Sequence, residues 1–184
     1  MNTSPPAKHL VQPVKLIAAL LYRDPEPLAR ARAALCGLYG EEDFAGRAFP
    51  FSHTAFYEPE MGAPLFRMFV AYRELVCPGA LAPAKLAADR IERELAGSAG
   101  GRTVNIDPGT LDYQKVVLAS FKYQGQKIYL QDGVWADLTL YYRKGGWASF
   151  EWTFPDFKTG DYDPELLEIR RLYKQQMLAR SPGG

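Results

Sequence analysis

The chain has 184 residues, with 22 Lys+Arg against 21 Asp+Glu and a formal net charge of +1. Hydrophobic residues make up 47% and aromatic ones 13%, enough for one domain with a sizeable core. These figures exclude a disordered chain, a coiled coil, a collagen-like fibre and a disulfide scaffold, and the balanced charge argues against nucleic acid as a partner.

Residues 1–12, with Pro5 and Pro6, read as a flexible tail, and Arg180 to Gly184 as a loose end. Residues 13–179 read as one α+β domain. Val14 to Tyr22 is almost wholly apolar, the mark of a strand buried on both faces. It is far short of the roughly 20 residues of a membrane span, so no membrane partner is expected. Asp24-Pro25-Glu26 then starts a helix, with Asp24 as N-cap, Leu28, Ala31, Leu35 and Leu38 as its stripe and Gly40 as its stop.

Phe49 to Tyr57 is aromatic and predicts a strand, followed by a breaker-rich loop over 58–64. Leu65 to Leu75 alternates and predicts a second strand of a long hairpin. Pro78 opens a second helix, with Leu81, Ala84, Ala88, Ile91 and Leu95 facing inward and Lys85, Asp89, Arg90, Glu92 and Arg93 mostly off that stripe. After a Gly-rich connector, Arg102 to Ile106 predicts a strand stopped by an Asp107-Pro108-Gly109 turn. The order is the ferredoxin-like βαββαβ, over residues 13–109.

Residues 110–179 supply a C-terminal antiparallel β module and a closing helix, expected to cover the bare face of the first half. The strands are Val116 to Tyr123, a hairpin of Lys127 to Leu130 and Val134 to Arg143 around Asp132-Gly133, and Trp147 to Phe154. Asp163-Pro164-Glu165 begins the last helix, with Leu166, Ile169, Tyr173 and Met177 inward.

No phosphate loop, no Gly-x-Ser-x-Gly and no Cys-x-x-Cys is present. Cys36 and Cys77 read as reduced thiols of a cytoplasmic protein. His53 is the one histidine outside the N-terminal tail, so an imidazole base would have to be His53. On a strand it would share a face with Tyr57. Asn105 and Asp107 fall at a predicted strand end, and Asp137 interrupts an otherwise uncharged strand, where burial would demand a cation such as Lys115, Lys127 or Arg67. The aromatic cluster Trp135, Tyr141, Tyr142, Trp147, Trp152, Phe154 and Phe157 reads first as packing, with base stacking as the functional alternative.

Several segments together resemble an uncharacterised prokaryotic family of about 180 residues, a domain of unknown function. They are Phe51, Thr54 and Tyr57 with Glu60-Met61-Gly62, the run Asn105 to Gly109, Lys127 to Leu130 with Asp137 to Leu140, and Trp152 to Asp156. The resemblance spans residues 14–177. Some members carry the label GTP-binding protein, which is the sole source of GTP as an expected ligand, since no Asn-Lys-x-Asp motif accompanies it here. The sequence departs from the family at Cys77-Pro78-Gly79, where Asp-Pro-Glu is usual.

The leading expectation is a domain that binds a small anionic or nucleotide ligand between two β layers, lined by His53, Tyr57, Glu60, Asn105, Asp107 and Asp137. One alternative is a metal-assisted hydrolase, with Glu58, Glu60, Asp107 and Asp137 holding Mg²⁺ and His53 as base. The other is a non-catalytic interaction module paired through a strand edge or helix face. The oligomeric state is left open.

Overall fold

The computed structural model describes residues 11–98 and 100–180. Apart from Val11 and Gln12, the expected N-terminal tail lies outside the described residues, as does the expected loose end beyond Arg180. The elements are β1 (Val14–Tyr22), α1 (Pro25–Tyr39), β2 (Glu42–Ala45), β3 (Phe49–Phe51), α2 (Glu58–Met61), β4 (Leu65–Val76), α3 (Leu81–Glu94), β5 (Val104–Leu111), β6 (Lys115–Ser120), β7 (Ile128–Gln131), β8 (Val134–Arg143), β9 (Gly146–Ser149), α4 (Pro155–Lys158) and α5 (Asp163–Arg180). A single 3₁₀ turn, Pro78–Ala80, precedes α3. Among the described residues no helix is long and apolar enough to cross a membrane.

Among the described residues, all nine strands belong to one antiparallel sheet, in the order β2-β4-β1-β5-β6-β8-β7, with β3 beside β4 and β9 beside β8. This corrects the expectation of two β layers. The later strands do not roof the first half; they extend its sheet edge to edge from β5. The division drawn at 109/110 falls inside β5.

Two large cores flank the sheet, and β1 serves both by alternation. Leu16, Ala18, Leu20 and Tyr22 pack with α1 (Leu28, Ala31, Leu35) and α3 (Ala84, Ala88, Ile91). Ile17 and Ala19 pack on the opposite face with Phe69, Leu118 and Leu140, under Phe157 of α4 and Leu166, Ile169 and Tyr173 of α5. The second cover is therefore helical, from α4 and α5. The inward stripe expected for α5 is the one observed.

Several local readings fail where neighbouring groups or partner strands intervene. Asp24 makes no cap hydrogen bond, because its carboxylate is held by Arg23. Phe49 to Tyr57 is strand only as far as Phe51, and the expected loop after it holds α2. The strand from Trp147 ends at Ser149, and Val116 to Tyr123 narrows to Lys115–Ser120.

The Asp107-Pro108-Gly109 turn is instead the middle of β5. Alternate residues of an antiparallel strand point both backbone groups to the same edge. Ile106 donates its N–H away from β1, to Glu92, so Pro108 directs its missing N–H to the same side. There β6 has not yet begun to pair, since its register starts at Gly109↔Leu118. Proline at this point forfeits no ladder bond. Gly109 is required by close approach: a Cβ there would lie 2.7 Å from Leu118 Cδ2 and 2.8 Å from the Val117 carbonyl oxygen.

Gly109→Ala should therefore lower stability by about 1–3 kcal/mol, the range for overpacking a core. Urea unfolding followed by circular dichroism checks this; an unchanged midpoint would show that β6 yields without cost.

Candidate functional site

The site lies where β5 and β6 part. β6 pairs with β5 only over Gly109 to Leu111, so the N-terminal half of β5 has an open edge. A buried backbone N–H or C=O needs a partner, and α3 supplies both for Ile106. Glu92 accepts the Ile106 N–H at 2.6 Å, and Lys85 Nζ donates to the Ile106 carbonyl at 2.8 Å. The two are seven residues apart, so they share one flank of α3. Both are buried, contrary to their expected place off the packed stripe.

Burying these charges recruits others. Lys85 Nζ also meets Asp107 Oδ1 at 3.2 Å. Asn105 Nδ2 donates to Asp107 Oδ2 at 2.9 Å, and Arg102 Nη1 donates to Asn105 Oδ1 at 2.6 Å. Arg102 then grips Glu60 through Nε, at 2.9 and 3.0 Å, and Nη2, at 2.6 Å. The Tyr57 ring lies 5.5 Å from the Arg102 guanidinium carbon. The structure thus joins four expected residues, Tyr57, Glu60, Asn105 and Asp107, in one network. It adds Lys85, Glu92 and Arg102, which the sequence reading left out.

Strand alternation places Arg67, Asn105, Asp107 and Asp137 on the sheet face covered by α4 and α5. Arg67 pairs with Asp156 at 2.9 Å and lies 4.8 Å from the centre of the Phe51 ring. Among the described residues its buried Nε has no hydrogen-bond partner. Asp137 does take a cation, and it is Lys127, at 3.1 Å, with both side chains buried. Lys127 also donates to Ser120 Oγ at 2.9 Å.

Titration follows these contacts. For Asp107, burial is the largest influence and pushes upward, but Lys85, Arg67 and Asn105 together outweigh it, so the carboxyl is held below its usual range. For Glu60 the hydrogen bond from Arg102 is the largest influence and holds the carboxyl down against burial. Burial raises Glu92 despite the opposing Lys85. Burial, with Asp107 adding, pushes the Tyr57 hydroxyl up to about 12, so it stays protonated and remains a donor at neutral pH.

Aromatic rings rim this notch. Lys85 lies 5.7 Å from the Phe121 ring centre, Lys122 3.8 Å from Phe56 and Lys127 5.5 Å from Phe154. All three rings are exposed. Of the aromatic cluster read from the sequence, Phe157 is core, whereas Trp152 and Phe154 face solvent.

The other expected residues are placed elsewhere. His53 is exposed, lies beyond the end of β3 and lines a separate cleft of about 260 Å³ with Arg47, Phe49, Pro50, Asp161 and Tyr162. It shares no strand face with Tyr57. A second cleft, of about 360 Å³, lies against the network and is lined by Glu60, Glu92 and Arg102 with Asp89 and Arg93. Among the described residues no three His, Cys, Asp or Glu side chains are grouped to hold a metal ion. Glu58, Glu60, Asp107 and Asp137 therefore do not form the cluster that the hydrolase reading requires, and the last three are each taken by a cation.

Two outcomes follow. Glu92→Gln keeps an acceptor for the Ile106 N–H and should be nearly neutral, while Glu92→Leu strands a buried donor and should cost about 1–3 kcal/mol in urea unfolding. A carboxyl lowered in the folded state stabilises fully above its unfolded value, near 3.9 for Asp, and that contribution is lost as pH falls through the folded value. Asp107→Asn should accordingly flatten the decline of stability with acid below about pH 4, read from unfolding midpoints across that window; an unchanged slope would refute the Lys85–Asp107 assignment.

The network and its rim draw on segments from Phe51 to Asp156, which is most of the span over which comparison with other proteins gives a match. No curated protein and no solved structure matched the chain. The profile of one family, described as a domain of unknown function (DUF4416), matches residues 12–173. The chain belongs to the DUF4416 family.

Proposed function

We propose that this domain binds a small anionic ligand carrying a flat ring, nucleotides included, at the notch between β5 and β6. One observation carries the reading: three exposed phenylalanines, Phe56, Phe121 and Phe154, stand around the notch, each with a lysine near its face. Rings offer stacking to a planar group, and the ammonium of Lys122, exposed where Lys85 and Lys127 are buried and paired with Asp107 and Asp137, offers charge to a phosphate or carboxylate. Tyr57 adds a hydroxyl beside them, and the network of Arg102, Asn105 and Asp107 below keeps it oriented. The site is not a gap between two sheets, because the sheet is single. GTP enters as a candidate through the family label alone.

The same reading assigns β1 to β5, with α1 and α3, to a ferredoxin-like core. The strand order β2-β4-β1-β5 and the common face of α1 and α3 support it. Free thiols at Cys36 and Cys77 fit a reducing cytoplasm.

Thermal-shift titration with GTP, ATP and other phosphorylated metabolites at millimolar concentration tests the proposal. A ligand at ten times its Kd adds roughly 1.4 kcal/mol, a rise in Tm of about 3–6 °C for a domain of this size. Phe121→Ala and Lys122→Ala should each abolish the rise. No stabilisation by any member of the panel would overturn the reading.

A further inference from the structure

The sheet has two edges, and they are built differently. At one end β2 is guarded by charge: Glu42 is paired with Arg32, and Asp43 with the buried Lys15 and with Gln176 of α5. At the other end β7 carries no charged residue, and all four of its residues, Ile128 to Gln131, are exposed. Ile128 is 69% and Tyr129 54% exposed. The surface continues into Tyr123 and Trp135, whose rings are 4.9 Å apart, with Tyr129 5.1 Å from Trp135. A bare, apolar terminal strand is a template for another strand, and monomers normally guard against it.

We propose that β7 pairs with β7 of a second copy of this chain, joining two sheets into one across a two-fold axis. Antiparallel pairing about an axis normal to the sheet sets Tyr129 opposite Tyr129 and Ile128 opposite Leu130. Over residues 126–132 it opposes no two like charges, since Lys127 falls opposite Gln131 and Asp132 opposite Gln126. The area is adequate. Tyr123, Ile128, Tyr129, Leu130 and Trp152, none of which belongs to the ligand site, are between 39% and 69% exposed. At about 200 Å² per large side chain they offer roughly 540 Å² per copy before the strand backbone is added. A standard interface takes about 800 Å² per partner. Because the β2 edge is guarded, the association closes at two copies and does not propagate as a fibre. The pairing is independent of the ligand site.

Sedimentation equilibrium of the full chain at micromolar concentration should give a dimer, and the double variant Ile128→Lys/Leu130→Lys should give a monomer with an unchanged Tm. Amide exchange at 128–131 should slow as concentration rises. A monomeric wild type overturns the proposal, as does a dimer that survives the double variant or leaves those amides unprotected. A wild-type monomer that instead takes up an extended peptide along β7 would give the edge to another partner and overturn it equally.

Discussion

The structure turns on the unpaired backbone of Ile106. β6 leaves β5 after three residue pairs, and from there toward Val104 the strand runs on without a neighbour on that side. An orphaned buried N–H or C=O costs about 1–3 kcal/mol, so the chain must supply partners from α3. Lys85 and Glu92 do so, and each brings a charge into a site that burial makes expensive. Asp107 answers Lys85, Asn105 orients Asp107, and Arg102 holds Asn105 while Glu60 holds Arg102. The polar network is thus the consequence of a topological event, the parting of two strands.

That origin explains which parts were legible in the sequence. The strongest patterns set by one segment alone were read correctly, though the Asp24 cap and the full lengths of Phe49 to Tyr57 and Trp147 to Phe154 were not. The apolar run of β1 needs no partner to announce burial on both sides, and Asp132-Gly133 carries positive φ at both residues, 51° and 77°, as its hairpin turn demands. The stripe of α5 follows from spacing. Asp107-Pro108-Gly109 failed because its letters mean a turn only when both edges of the chain are free. In β5 the proline faces an unpaired edge and the glycine faces Leu118, and neither fact exists before the sheet is assembled.

The site was legible in the same measure. Asn105, Asp107, Tyr57 and Glu60 were singled out as polar residues at strand ends or beside aromatic strands, and they do converge. Lys85 and Glu92 were hidden because charges on a helix normally belong to its wet face. Their seven-residue spacing, directly beside Ala84, Ala88 and Ile91, was the available signal: two opposite charges repeating on the flank of a packed stripe. His53 drew notice by rarity alone, and rarity carries no information about position.

Charge also distinguishes the two ends of the sheet in a way that bears on stability. Lys15 is wholly buried, and burial lowers its pKa although Asp43 opposes the change. The proton-free form is therefore favoured more in the folded chain than in the unfolded one, so this residue by itself makes folding more favourable as pH rises toward the ordinary lysine range. A lysine that costs stability at neutral pH is retained where it ties β1 to β2 and, through Gln176, to α5. The guard on that edge has an energetic cost, and the opposite edge, at β7, carries none. An asymmetry of this kind is what a sheet requires if it is to be closed at one end and extended at the other.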